Sequence, residues 1–191
     1  IMIPYGRQDI SQADIDAVIE VLRSDFLTQG PSVERFELAL LNYTGAKHTI
    51  AVNSATSALH LACLALGVSS GDLVWTSPIT FVASANCALY CGADIDFVDI
   101  EMHSNNMSII ALREKLQQAK ELGRLPKVVI PVHMGGLSCD MKSIFELSSE
   151  YGFKIIEDAS HAVGGSLAGN KIGSCEFSDI SVFSFHPVKI I

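Results

Sequence analysis

A lone lysine, Lys189, closes an apolar run that begins near residue 181, and Ser184 lies five residues before it. An amine that is partly buried has a lowered pKa, and its neutral form attacks aldehydes. The pattern therefore makes Lys189 a candidate nucleophile for a carbonyl compound. A lysine at the end of a strand is more often a solvated side chain, so the assignment needs support from other parts of the sequence.

An acidic residue and a histidine follow a second apolar run, residues 153–156. Asp158 would emerge from the end of a buried strand, where a carboxylate can hold a cationic ring nitrogen because it favours the protonated form of its partner. Asp158 could instead cap the next turn, and His161 could be an ordinary interior histidine. The residue types alone leave these alternatives open.

Small and hydroxyl-bearing residues open a helical pattern at residues 53–59, and they include Ser54, Ala55 and Thr56. The free N–H groups at a helix start suit a phosphate, and small side chains let an anion approach the backbone. An ordinary Ser/Thr helix cap explains the same residues. The segment also has no glycine-rich turn, which argues against a nicotinamide-binding domain.

The glycine-dense segment 164–173 is a second place where a phosphate loop could be sought. Its glycines do not follow G-x-G-x-x-G spacing, and Lys171 lacks the preceding glycine and following hydroxyl of a Walker loop. Gly169 and Asn170 are typical of a turn between two short strands. We therefore expect a structural role for this segment.

The elements that must position these residues begin with two helices. Ser11 and Asp14 form a capping-box pattern, and apolar residues then recur at helical spacing to about residue 23. A second helix is predicted after Gly30 and Pro31, with a loop between the two helices.

From residue 48 onward, short β-branched runs alternate with amphipathic segments. Strands are predicted at residues 48–52, 73–76, 95–98, 127–132, 153–156 and 180–183. Helices are predicted at residues 55–66, 79–90, 109–122 and 141–151, with Gly67, Gly92 and Gly152 as C-terminal caps. This alternation indicates one α/β domain, with a mostly parallel sheet of about seven strands and helices on both faces. Ligands of such sheets bind beyond the carboxyl ends of the strands, where the candidate residues lie.

Composition narrows the class of protein. The 191 residues are 49% hydrophobic and carry a formal net charge of −8, with no basic block to neutralise nucleic acid. No apolar stretch is long enough to cross a bilayer, so we expect no membrane partner and a cytoplasmic protein. The five cysteines form no C-x-x-C pair, and we expect reduced thiols and no metal site, although Cys87 and Cys91 could share a helix face.

The order of these features is more informative than any one of them. A phosphate-binding helix start, an aromatic residue after the second strand (Phe81), an acid at a later strand end, a serine and then a lysine are the parts that hold pyridoxal 5'-phosphate. The sequence also resembles the DegT/DnrJ/EryC1/StrS family of pyridoxal phosphate-dependent nucleotide-sugar aminotransferases. The motifs that carry the resemblance are residues 53–59 (NSATSAL), 80–86 (TFVASAN), 157–162 (EDASHA) and 183–189 (FSFHPVK).

The resemblance implies the aspartate aminotransferase-like fold, fold type I, and a role for each matching position. Lys189 would form the Schiff base and move the proton, and Asp158 would pair with the pyridine nitrogen. Phe81 would stack on the ring, and His161 would lie near its hydroxyl edge. The phosphate would be bound at Ser54, Ala55, Thr56 and Ser184, and the sugar nucleotide would lie near Tyr5 and Thr28.

The resemblance also implies the reaction, which is amino transfer from glutamate to C4 of a UDP-linked 4-keto-6-deoxy N-acetyl sugar in pseudaminic acid or related surface-sugar biosynthesis. It implies a homodimer with a shared active site, and it makes residues 1–191 an N-terminal segment plus the cofactor-binding large domain of a longer enzyme. Two alternatives have the same fold. Sugar 3-dehydratases have histidine at the position of Lys189, which argues against them, and a non-catalytic regulator would not need Lys189, Asp158 and Ser184 together.

Overall fold

A computed structural model describes residues 8–189, and all structural statements below refer to that part of the chain. Two helices come first, and an alternation of helices and strands follows. The helices are α1 (Gln12–Arg23), α2 (Pro31–Thr44), α3 (Ala55–Ala65), α4 (Ala83–Tyr90), α5 (Ile109–Glu121) and α6 (Met141–Tyr151). The strands are β1 (Leu73–Thr76), β2 (Asp94–Phe97), β3 (Val128–Ile130), β4 (Lys154–Asp158), β5 (Ser166–Leu167), β6 (Asn170–Lys171) and β7 (Ile180–Val182).

The boundaries of the helices follow from local capping. The Ser11 side chain accepts a hydrogen bond from the Asp14 N–H, and the Asp14 carboxylate accepts one from the Ser11 N–H, so the predicted capping box is present. Pro31 begins α2, and Gly152 ends α6 in the left-handed conformation, with φ of 81°. Both N-terminal helices were predicted at these positions.

The central sheet has five strands in the order β2-β1-β3-β4-β7, and every pair is parallel. Its strands are connected through α4, α5 and α6, and β5 and β6 form a separate antiparallel hairpin between β4 and β7. The α/β class with a mostly parallel sheet is thereby confirmed. A turn does join the two short strands, but it lies at Ala168 and Gly169, because Asn170 is already the first residue of β6. The carboxyl ends of β1, β4 and β7 lie at one edge of the sheet because the strands are parallel.

The strands alternate their side chains between two apolar layers. Val74 and Ile156 face the layer formed with α3 and α4, whereas Trp75 and Ile155 face the layer formed with α5 and α6. Because side chains alternate with a period of two, both faces of the sheet are apolar. Helices cover each face, as in parallel sheets that are buried on both sides. Burial of these layers fixes the register of β4, and hence the direction in which its last residue points.

The prediction that about seven strands form one sheet was wrong in strand number, since the described sheet has five. Residues 48–52 were predicted as a strand, but they form no ladder. The Thr49 hydroxyl donates to the Glu37 carbonyl oxygen at 2.6 Å, and the Ala51 N–H donates to the Glu37 carboxylate at 2.7 Å. These bonds tie the segment to α2, and Ile50 is 82% exposed. Because α2 takes its hydrogen bonds, β propensity did not produce a strand here.

Within residues 8–189, none of the helices combines the length and the apolar character that a membrane span requires.

Candidate active site

Asp158 is the last residue of β4, and the residue is buried at the carboxyl edge of the sheet, with an exposure of 4%. One carboxylate oxygen, Oδ1, accepts hydrogen bonds from the Ser160 N–H at 3.2 Å and from the Ser160 hydroxyl at 2.6 Å. The other, Oδ2, accepts one from the Ser84 hydroxyl at 2.6 Å. The bonds from Ser160 are those of a turn cap, so Asp158 has that role as well as a buried carboxylate directed at α4.

Lys189 and His161 meet although they lie on different loops. The Lys189 Nζ is 3.0 Å from the His161 Nε2. Burial lowers the pKa of the His161 imidazole, the Lys189 ammonium lowers it further, and the Asp158 carboxylate acts in the opposite direction. A neutral His161 accepts a hydrogen bond at Nε2, so the lysine amine is held beside the turn that follows Asp158.

The expected phosphate site is the N-terminus of α3, which packs against β4 and β7. Ser54 is the N-cap, and its hydroxyl accepts the Ser57 N–H at 3.2 Å. Ala55 and Thr56, in the first turn, are half-buried. Ser184 follows β7 and is 7% exposed. The α3 start therefore has the small side chains and free backbone N–H groups that an anion requires.

Phe81 lies in the loop between β1 and α4 and is 68% exposed, so its ring is available to a ligand at the sheet edge. The two residues expected near the sugar nucleotide are Thr28 and Tyr5. Thr28 is exposed in the loop between α1 and α2, and Tyr5 lies outside the described residues. Among the described residues, the Lys189–His161 contact and the effect of the Asp158 charge on the pKa of His161 relate these three residues, and neither extends to Thr28.

Two hydroxyl residues without an assigned role in the sequence analysis also belong to this site. The Thr80 and Ser84 hydroxyl oxygens are 2.8 Å apart, and Ser84 contacts Asp158. Thr80 lies in the loop before α4 and Ser84 in its first turn, and two hydroxyl residues so close to a helix start are a signal that both could bond there. The sequence could not indicate that the Ser84 hydroxyl contacts a strand end 74 residues later.

A second buried network lies on the other side of β4. The Glu157 carboxylate contacts the His133 Nε2 at 2.8 Å and accepts a hydrogen bond from the Ser178 hydroxyl. The His133 Nδ1 accepts the Cys139 N–H at 3.2 Å, so the hydrogen of a neutral His133 is on Nε2 and is donated to Glu157. The network holds the segment 133–139, and its Gly136 lies so near the turn after Asp158 that a Cβ would be 2.8 Å from the His161 carbonyl oxygen.

Comparison with known proteins places this arrangement in a family. Residues 8–191 match the model of the DegT/DnrJ/EryC1/StrS aminotransferase family. The chain belongs to that family. The membership expected from the four sequence motifs is thus confirmed.

Individual relatives in the DegT/DnrJ/EryC1/StrS family are similar over the whole chain. A UDP-4-amino-4,6-dideoxy-N-acetyl-beta-L-altrosamine transaminase of Campylobacter jejuni is 44% identical, over all of this chain and 49% of its own length. The Helicobacter pylori PseC structure, an aminotransferase of pseudoaminic acid biosynthesis, has a TM-score of 0.88 and 34% identity over 97% of this chain and 48% of its own.

A putative sugar aminotransferase of Streptococcus pneumoniae, Spr1654, solved in its PLP form, has a TM-score of 0.86 and 31% identity over 98% of this chain and 50% of its own. The chain spans about half the length of the relatives that it matches.

Proposed function

We propose that this chain is the N-terminal segment and cofactor-binding large domain of a pyridoxal phosphate-dependent nucleotide-sugar aminotransferase. Its reaction would transfer an amino group from L-glutamate to C4 of a UDP-linked 4-keto-6-deoxy N-acetyl sugar, in pseudaminic acid or related surface-sugar biosynthesis. The names of the Campylobacter and Helicobacter relatives support this substrate class. The proposal includes a cytoplasmic homodimer with a shared active site, as the family resemblance implies.

The observation that carries the proposal is the convergence of Asp158, His161 and Lys189 at the carboxyl edge of the sheet. A buried carboxylate, an imidazole of lowered pKa and a primary amine come together, with the amine 3.0 Å from the imidazole. An amine at this position can attack an aldehyde, and a carboxylate can hold a protonated ring nitrogen. The Lys189 side chain distinguishes this site from a dehydratase with histidine at the same position.

The chain's own residues fit the cofactor. The α3 start, with Ala55 and Thr56, supplies N–H donors for the phosphate, and Ser184 supplies a hydroxyl. Phe81 would cover the ring and exclude water from its face. When bound, the protonated pyridine ring would withdraw electrons from the substrate carbon next to the linking nitrogen. Asp158 would keep that ring nitrogen protonated, and Lys189 would carry the proton to and from the substrate carbon.

Reduction of the full-length enzyme with borohydride, followed by peptide mapping, tests the attachment site. The reduced cofactor is expected on Lys189. The Lys189→Ala variant should lose the visible absorbance of the attached cofactor and all transamination, although added cofactor could still bind through its phosphate. A cofactor found on Lys171 or on another lysine would contradict the assignment.

Lys171→Ala is the matched control, because the Lys171 ammonium lies over the Tyr43 ring, 4.9 Å from its centroid. This variant should keep the absorbance band and the activity. Asp158→Asn should keep the attached cofactor but slow proton transfer by orders of magnitude, since a neutral amide does not keep the ring nitrogen protonated. Normal turnover by Asp158→Asn would remove the proposed role of Asp158.

The substrate class is tested by incubating the enzyme with ¹⁵N-glutamate and UDP-linked 4-keto-6-deoxy N-acetyl sugars of different stereochemistry. NMR of the product is expected to place the label on C4. Loss of a hydroxyl without incorporation of nitrogen would indicate a dehydratase. Cofactor binding with no reaction on any sugar would favour the non-catalytic regulator.

A further inference from the structure

The Asp158 carboxylate has one hydrogen-bonding position that the described residues leave open. An ionised carboxylate accepts about four hydrogen bonds, two at each oxygen. Oδ1 already accepts two, from the N–H and the hydroxyl of Ser160. Oδ2 accepts one, from the hydroxyl of Ser84. With the residue only 4% exposed, the open position on Oδ2 is a specific place for one further donor.

The hydroxyl of Ser84 has a fixed direction because it holds a single hydrogen. Its oxygen is 2.6 Å from the Asp158 Oδ2, 2.8 Å from the Thr80 hydroxyl and 3.2 Å from the Phe81 carbonyl oxygen. The charged acceptor is both the nearest and the strongest, so Ser84 donates to Asp158. Thr80 then donates to Ser84. The result is a chain of hydroxyls that runs from Thr80 through Ser84 to the carboxylate.

The chain of hydroxyls connects Phe81 and Asp158, the two residues expected to contact the cofactor ring. Thr80 and Ser84 lie on either side of Phe81 in sequence, and the Ser84 N–H donates to the Phe81 carbonyl oxygen at 3.1 Å. The turn that presents the aromatic side chain is therefore joined directly to the carboxylate at the end of β4. Ser84 is fully buried, so water cannot replace its hydroxyl without a rearrangement.

We propose that Oδ2 of Asp158 is the oxygen that accepts the ring N–H of the cofactor, and that Ser84, supported by Thr80, is the positioning residue that holds it there. The inference rests on the proposed function. The Ser84 donor fixes the direction of Oδ2, so that the carboxylate charge is held where it stabilises the protonated ring nitrogen. Ser84 thus sets the orientation of the carboxylate.

The test uses full-length enzyme loaded with cofactor that is ¹⁵N-labelled at the ring, and it compares the ¹⁵N resonance of the wild type with that of Ser84→Ala. The variant should move the resonance toward that of neutral pyridine, because a carboxylate that Ser84 no longer holds toward the ring nitrogen stabilises the protonated ring less well. Its kcat should fall about 10- to 100-fold, as for loss of a hydrogen bond to a charged group. The KM for the sugar should stay unchanged.

Two further variants keep the test decisive. Thr80→Val keeps the shape but removes the first donor of the chain, so it should shift the resonance in the same direction by a smaller amount. Ser77→Ala is the matched control, since Ser77 is also buried and its hydroxyl has no hydrogen-bond partner among the described residues. Ser77→Ala should leave the resonance unchanged.

The outcomes separate the inference from the function on which it rests. If Asp158→Asn shifts the resonance and Ser84→Ala does not, the role of Ser84 is refuted and the aminotransferase proposal stands. A shift in Ser77→Ala as large as that in Ser84→Ala would also refute it, because any buried hydroxyl would then have the same effect. If the wild type binds no labelled cofactor, or Asp158→Asn has no effect, both proposals fail.

Discussion

Replacement of Glu157 by alanine should loosen the segment 133–139, and the structure sets the size of the effect. The substitution leaves the buried His133 Nε2–H without an acceptor, because Nδ1 is already occupied by the Cys139 N–H. An unsatisfied buried donor costs about 1–3 kcal/mol, and the lost methylene adds about 0.8 kcal/mol. Relief of the desolvated carboxylate acts in the opposite direction, and the loss of an acceptor for the Ser178 hydroxyl offsets it. We expect a local loss of about 2–4 kcal/mol.

Hydrogen exchange at the Cys139 amide is the direct assay, since that N–H is bonded to His133. A loss of about 2–4 kcal/mol corresponds to exchange about 30- to 1000-fold faster. The measurement is made on the full-length enzyme without cofactor, so that ligand binding does not mask the change. Glu150→Ala, which removes an exposed carboxylate from α6, is the control and should leave the exchange rate unchanged.

Glu157→Gln distinguishes the hydrogen-bond account from a simple loss of charge. The glutamine carbonyl can face His133, and its amide can face Ser178, whose hydroxyl can rotate to accept. We therefore expect a cost below about 1.5 kcal/mol, or exchange less than about tenfold faster. Equal effects of glutamine and alanine, or no effect of alanine, would refute this account of the network.

Three further predictions concern stability, measured by urea denaturation of the full-length protein. Leu116 is fully buried in α5, and Leu116→Ala should lower the free energy of unfolding by about 2–5 kcal/mol. Leu122 is 76% exposed, and Leu122→Ala should change that free energy by less than about 0.5 kcal/mol. Similar costs for the two variants would contradict the two-layer core. Gly173→Ala should lower the free energy of unfolding more than Gly169→Ala. Both glycines have positive φ, but only at Gly173 would a Cβ meet a side chain, the Phe183 ring at 2.5 Å. The reverse order would contradict this packing. Folding lowers the pKa of His161, so the unfolded state binds more protons than the folded state just below about pH 6.5. The free energy of unfolding should therefore fall as the pH drops through that range. His161→Gln should reduce this dependence of stability on pH.

The sequence alone predicted the elements whose signals are local. The capping box of Ser11 and Asp14 joins residues three apart, so the start of α1 could be read from adjacent positions, and the structure places the helix there. The alternation of strands and helices predicted a buried parallel sheet for the same reason, since each period is written in consecutive residues. The order of the motifs also led to the family that the comparison confirmed.

Tertiary structure decided the features that depend on distant partners. Residues 48–52 have strand propensity, but Glu37 of α2 takes their hydrogen bonds, so β propensity could not predict the outcome. Ser84 meets Asp158 across 74 residues, and Lys189 meets His161 across 28. Such contacts exist only because helices and strands pack at particular angles and registers around the buried sheet. A linear sequence names the side chains that can do chemistry, but the packing of α4 and the register of β4 determine which of them meet.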